Sequence, residues 1–331
     1  MIKDFLKSHS IHKSIAPYLD LIMISRLTLF FGVWVMICIG MYIGSIVNNN
    51  VHVNITFINP FTCILFIGVS LVCGSIFISN QIYDAHADKI NKKASVINNY
   101  VSSEKAINVS KVFWIIGFLI ISLVDYIVLL PIIIMYIICE KLYTNEKLSL
   151  KENPWMNFIF YLLIGYFLIL AGVFYNRCDS KIIDLIIQSF SYAMPFLMLY
   201  GSVVLAIGIL DSNGDKLSNR GTFALSLGKG ITSFLATFLS LCSFLIGLYL
   251  NEPLASVSSI SALPFFLFLI IRGEEKDVIR SIRYPILLLN FYILLIYPLL
   301  FYPIIITFYI SKYYYWHRFS IHYPTLLVDN D

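Results

Sequence analysis

Five oxygen-bearing side chains in this 331-residue sequence fall into two groups with one spacing. Asn80, Asp84 and Asp88 stand four apart in NQIYDAHADKINKK, and Asp211 and Asp215 stand four apart in ILDSNGDKLSNRGTFALSLG. Residues four apart share a helix face, so each group reads as a stripe of potential ligands. Like charges at that spacing slightly destabilise a bare helix and ask for a compensating cation. Hard oxygen donors suit Mg²⁺, which binds through a few carboxylates together with water and substrate phosphates. Two such stripes facing each other would hold ions of this kind against a diphosphate. The plainer alternative makes them helix caps and surface charges, and the matched spacing of the two groups weighs against it.

Further candidates lie nearby in the sequence. The segment KLYTNEKLSLKENP, residues 141–154, supplies Tyr143, Lys147 and Lys151, a phenol and two ammonium groups able to meet phosphate oxygens. Arg26 sits inside an apolar run, where an arginine needs an anion or a water-filled cavity. His86 falls roughly 160° around a helix from the ligand stripe and reads as a bystander. The segment NRCDSKIID at 176–184 reads as a solvated turn.

The elements that must carry these residues are membrane helices. The chain is 59% hydrophobic and 13% charged with a mean hydropathy of +0.83, against about 25% charged in a soluble domain. That excludes an ordinary soluble protein and predicts an all-α, polytopic membrane bundle. Nine spans are expected, at about 21–47, 60–82, 104–123, 126–142, 155–175, 183–210, 229–249, 254–271 and 285–311. Pro154, Pro253 and Pro285 are expected at helix starts. Pro131, Pro195, Pro264, Pro298 and Pro303 are expected within spans. The third and fourth spans divide near Asp125, because one helix over 104–142 would overshoot the ~20 residues a bilayer needs. The first apolar run is too long for a signal peptide and reads as a retained span. The six cysteines are scattered without a CxxC pair and predict neither disulfides nor a thiolate metal site.

Counting lysines and arginines tests the topology independently of any motif. With the N-terminus inside, 18 of the 23 fall on the inner side and four (Arg177, Lys181, Lys312, Arg318) on the outer, with Arg26 at the inner end of the first span. This bias predicts a cytoplasmic N-terminus, an external C-terminus, and both acidic stretches on the cytoplasmic face.

Together these features resemble the UbiA superfamily of intramembrane prenyltransferases. The family's first motif, NDxxDxxxD followed by Asn-Lys, is matched by Asn80, Asp84, Asp88 and Asn91-Lys92. Its second, DxxGD with a Thr-Leu-Ala-like tail, is matched by Asp211 to Asp215 and then Thr222 to Gly228. YxxxK is matched by Tyr143 and Lys147, and an early basic position by Arg26. The resemblance runs over about residues 20–310. Gln81 replaces the usual acidic residue, Ser95-Val96 a frequent Arg-Pro, Asn145-Glu146 a frequent Pro-Pro, and Asn219 a common glycine.

The resemblance implies a nine-helix domain over 21–311, flanked by a cytoplasmic segment, 1–20, and a short tail, 312–331. It implies transfer of an isoprenyl group from an allylic prenyl diphosphate to an acceptor, commonly aromatic, in the inner membrane of a bacterial cell. Mg²⁺ would be held by Asn80, Asp84, Asp88, Asp211 and Asp215, with catalysis by the four aspartates. Arg26, Tyr143, Lys147 and Lys151 would bind the diphosphate. Membrane lipid surrounds the site, and no nucleic-acid partner is expected. Two alternatives are a related terpene cyclase, which needs no acceptor, and a transporter. Secondary transporters bind near the midplane, whereas these charges cluster at one face.

Overall fold

The computed structural model describes residues 9–49, 55–56, 59–90, 94–143, 150–177, 181–217 and 220–325. Among them every regular element is a helix, and nine helical segments are long and apolar enough to cross a membrane. A helix α1, Ser10–Met23, precedes a break and a 3₁₀ turn, Leu27–Leu29. α2, Phe30–Asn49, and α3, Pro60–Tyr83, follow, and the short α4, Ala85–Ile90, carries the end of α3 onward. The bundle continues with α5, Ser103–Val124, and α6, Tyr126–Ile137, which passes into a π-helical turn at Ile138–Tyr143. Next come α7, Pro154–Tyr175, and α8, Ile182–Leu210, then the short α9, Ser212–Leu217, and α10, Phe223–Ser226. α11, Gly228–Tyr249, α12, Pro253–Ile271, α13, Glu275–Ile296, and α14, Phe301–Phe319, complete the chain.

Local chemistry explains the boundaries. Asn59, Ser102, Asn153 and Glu252 each accept backbone N–H bonds at the first turn of α3, α5, α7 and α12, satisfying donors that a helix start leaves open. Asp125 ends α5 in an extended conformation and caps α6 through Ile127 N–H at 2.8 Å, so the expected split of the third and fourth spans holds. Arg177 is ion-paired to Asp125, which holds the start of the stretch that reads in the sequence as a patternless turn.

In lipid, helices associate through close packing of small residues rather than through the hydrophobic effect. α2 and α7 meet backbone to backbone at Gly40 and Gly172. A Cβ on Gly40 would lie 1.9 Å from the Ile169 carbonyl oxygen, and one on Gly172 would lie 2.1 Å from that of Ile37. The largest core cluster surrounds this crossing, with Ile37, Ile43, Ile169 and Val173 fully buried.

Three expectations are corrected. The first span does not run from 21, because the chain breaks at Ile24–Arg26 and the apolar segment starts at Leu27. The ninth span is Glu275–Ile296, not 285–311, and Pro285 lies inside α13 rather than at its start. An apolar link, Tyr297–Leu300, joins α13 to the apolar first half of α14, so a hydropathy window centred on 298 merges two helices. The ends of the chain are corrected too. The carbonyl of Ile296 accepts from Thr56 N–H at 2.8 Å, in the link between α2 and α3. Arg318, near the end of α14, instead meets Asp20 of α1 and Tyr100 just before α5. α14 therefore runs back along the bundle, about 28 Å at 1.5 Å per residue. Both described ends of the chain lie on the face that bears the acidic stretches. Arg318 joins that face, and the charge bias sharpens.

Candidate active site

Asp84 and Asp211 occupy equivalent places, each closing the last turn of a long helix, α3 and α8. The negative end of a helix dipole already disfavours an anion there, so these carboxylates need cations. The backbone does not break helical register at either residue. Asp84 N–H donates to Asn80 at 2.8 Å and Asp88 N–H to Asp84 at 2.9 Å. Likewise Asp211 N–H donates to Ile207 at 2.9 Å and Asp215 N–H to Asp211 at 3.0 Å. Each stripe thus persists from the long helix into the short one, and α4 packs against α9.

What joins the stripes is an arginine outside both of them. Arg220 donates to Asp84 Oδ2 at 2.5 Å, and its other terminal nitrogen lies 3.7 Å from Asp215 Oδ1. Its guanidinium also sits over the Tyr143 ring, 5.8 Å from the centroid. Burial opposes the Arg220 charge, but Tyr161, Tyr143, Asp84 and Asp215 overcome that cost and hold its pKa above the ordinary arginine value. Arg26 is ion-paired to Asp88. Three of the four aspartates, Asp84, Asp88 and Asp215, are therefore paired with two arginines at one face of the bundle.

Tyr143, at the end of the π-helical turn, is buried and donates to Asn157 Oδ1 at 3.2 Å. Asn157 Nδ2 in turn donates to the Gly221 carbonyl at 2.8 Å, and Gly221 N–H to the Lys151 carbonyl at 2.8 Å. A Cβ at Gly221 would lie 1.8 Å from the Glu152 carbonyl oxygen, so only glycine lets the Arg220 loop seat on the turn before α7. Two cavities open beneath. One, of about 120 Å³, runs from Asn80 and Tyr143 down to Val33, Met135 and Leu168. The other, of about 100 Å³, is bordered by Asp211, Asp215, Arg220 and Phe223. The Tyr161 and Tyr200 rings line both.

The structure thus brings together Asp84, Asp215 and Tyr143 around Arg220, sets Arg26 on Asp88, and places Asn80 and Asp211 at the mouths of the two cavities. Lys151 enters through its carbonyl. Lys147 lies outside the described residues, as do Asn145-Glu146, Asn219 and the Asn91-Lys92 tail of the first motif, and the His86 side chain is likewise undescribed. Sequence reasoning missed Arg220, Asn157 and Gly221. The signal for Arg220 was present, a lone arginine five residues after the second acidic pair, but it reads as one more loop charge.

Among the described residues no three carboxylate, imidazole or thiol groups converge to cage a metal by themselves. That suits Mg²⁺, which takes one or two carboxylates and completes its shell with water and substrate phosphates.

The fold has counterparts among solved structures. A structure of a UbiA homologue from Archaeoglobus fulgidus bound to DMAPP and Mg²⁺ matches at 13% identity with a TM-score of 0.59. The match covers 83% of this chain and 98% of that one. The same homologue bound to GPP and Mg²⁺ matches at 12% identity, also with a TM-score of 0.59, covering 83% and 99%. A structure concerning digeranylgeranylglyceryl phosphate synthase in membranes matches at 18% identity and a TM-score of 0.55, covering 86% and 97%. At these identities the likeness establishes the fold. No curated protein matches the sequence. The model of the UbiA prenyltransferase family matches residues 33–284, a stretch that holds both acidic stripes, Arg220 and Tyr143, and so the chain belongs to that family.

Proposed function

We propose that this protein is a Mg²⁺-dependent intramembrane prenyltransferase that moves an isoprenyl group from an allylic prenyl diphosphate to a lipophilic, aromatic acceptor. The observation that carries this reading is Arg220, shared between Asp84 and Asp215 at the mouth of an apolar cavity. A cation held between carboxylates from two helices marks a place where a diphosphate and its metal ions exchange charge with the protein.

Asn80, Asp84, Asp88, Asp211 and Asp215 would hold Mg²⁺, which when bound offsets the charge developing on the leaving diphosphate. The remaining steps belong to the chain's own side chains. Arg26 would bind the diphosphate together with Lys147 and Lys151 from the 141–154 segment, and Arg220 supplies fixed positive charge as it leaves. Such preorganised charge is most effective where it need not reorganise during reaction. The carbon–oxygen bond breaks with its electron pair leaving on the diphosphate, giving an allylic cation. Tyr161, Tyr200 and Phe160 line the cavities, and aromatic ring faces attract cations. An electron-rich carbon of the acceptor then forms the new bond, and the acceptor loses a proton.

Each cavity is smaller than the ~300 Å³ of a typical ligand site. Admitting a prenyl chain therefore requires the Tyr161 and Tyr200 rings between them to move. The lysine and arginine bias supports placing this mouth on the cytoplasmic side of a bacterial inner membrane.

The test is to incubate membranes containing the protein with isotopically labelled geranyl diphosphate and follow lipid extracts by mass spectrometry. The proposal expects a labelled prenylated aromatic lipid, absent with the Asp84→Asn variant. A labelled cyclic hydrocarbon formed without acceptor would replace the transferase reading with a cyclase.

A further inference from the structure

Arg26 stands on an unusual piece of backbone. Between α1 and the turn that starts the first span, it adopts φ 51° and ψ 60°, the left-handed region. That conformation is uncommon for a residue with a side chain and persists only where the surroundings impose it. Two sets of contacts impose it here.

The first is Gln81, one residue past Asn80 and buried at 3% exposure. Its Nε2 donates to the carbonyl of Ile24, in the elbow itself, and to that of Phe77 at 3.2 Å. Both partners are acceptors, which an amide NH₂ serves with its two donors, whereas a carboxylate would set oxygen against oxygen. The residue that departs from the family motif is therefore a donor bracing the elbow and lies off the ligand stripe. The second set is a clamp from the far end of the chain. Asp20 of α1 accepts from Tyr314 Oη at 2.6 Å and from Arg318 Nε at 3.0 Å, with a second bond from the Arg318 fork at 2.5 Å. Arg318 stacks over the Tyr100 ring at 4.5 Å, and its carbonyl accepts from Tyr100 Oη at 2.9 Å. Between brace and clamp, Met23 and Ile24 are fully enclosed in a small core that includes Ile78, Val96, Tyr314 and Tyr315. α1, the elbow and α14 all lie outside the residues 33–284 that match the family.

We propose that Gln81 and the Asp20–Tyr314–Arg318 clamp are positioning residues that fix the elbow at Ile24–Arg26 and so aim the Arg26 guanidinium at the diphosphate end of the site. This rests on the prenyltransferase reading, in which Arg26 meets the diphosphate. The brace holds the elbow from inside the bundle and the clamp holds α1 from outside, and the Arg26 side chain emerges between them onto Asp88.

The test is steady-state kinetics of the purified full chain in detergent with geranyl diphosphate and Mg²⁺. Gln81→Glu and Arg318→Ala should each raise KM about tenfold, the loss of one charge-assisted contact, with kcat within about twofold. In an Arg26→Ala background the same changes should add almost nothing, because residues acting through one side chain are not additive. The exchange of Asp20→Arg with Arg318→Asp should restore part of the KM lost by Arg318→Ala. Wild-type kinetics for Gln81→Glu and Arg318→Ala, or increases in KM that persist undiminished without Arg26, would overturn the proposal. If Gln81→Glu aggregates, the Arg318 and Arg26 cycle decides alone. Absence of turnover by the wild-type chain on any prenyl diphosphate would instead strike the prenyltransferase reading itself.

Discussion

At the scale of single residues, Arg220 organises the site. It pairs with carboxylates from two helices and rests on Tyr143. Replacing it with methionine leaves Asp84 and Asp215 facing one another without their shared cation, and turnover should fall by about 10²–10³, as when a preorganised charge is removed. Arg220→Lys should recover only part of this, since a compact ammonium lacks the planar fork that spans two separated carboxylates. The raised pKa of Arg220 also sets a sign. A cation whose folded pKa lies above its ordinary value keeps its pairing at every pH below that value and loses it only above. Activity should therefore show no alkaline loss attributable to Arg220 up to pH ~10, checked by a pH–rate profile of the wild type against Arg220→Lys. The two acidic stripes were legible in the sequence because four-residue spacing has a geometric meaning. Arg220 was not, because its meaning comes from a helix some 130 residues away. Gln81 reads in the sequence as a missing ligand, and its geometry makes it a donor to a neighbouring segment.

At the scale of elements, two glycines decide how the site is held. Gly172 lets α7 touch α2, and any side chain there would collide with the Ile37 carbonyl. Gly172→Val should force the two helices apart and lower the yield of monodisperse protein and its melting temperature. Overpacking of this kind costs about 1–3 kcal/mol or more. Gly221→Ala should push the Arg220 loop off the turn before α7, where the added Cβ would meet the Glu152 carbonyl. The expected result is a fall in turnover together with a lower melting temperature, measured on the same preparation. Most helix boundaries were legible, since caps, prolines and apolar length all act locally. The division between α13 and α14 was not, because the link between them is itself apolar and only tertiary contacts of Ile296 and Arg318 reveal the turn.

At the scale of the whole molecule, α14 returns the chain to the face from which it started, so both described ends flank the site. Single cysteines introduced at Lys13 and Ser320, in a background lacking the native thiols, should react with an impermeant maleimide from the same side of the membrane. One at Lys181 should react from the other. Labelling of Ser320→Cys and Lys181→Cys from one side would contradict the path of α14. The class of fold was legible from composition, because a chain so poor in charge has no soluble solution. Whether an acceptor or the substrate's own double bonds would capture the cation was not, because both outcomes use the same ionisation.

In the proposed reaction the paired acidic stripes and Arg220 form a Mg²⁺-dependent site for breaking the bond to a prenyl diphosphate. The most direct measurement is release of diphosphate from geranyl diphosphate by the purified protein in the presence of an aromatic lipid fraction, with and without Mg²⁺. Release should need Mg²⁺ and fall at least about 10²-fold in both Asp84→Asn and Asp215→Asn. Release that persists in both variants, or that is indifferent to Mg²⁺, would contradict it.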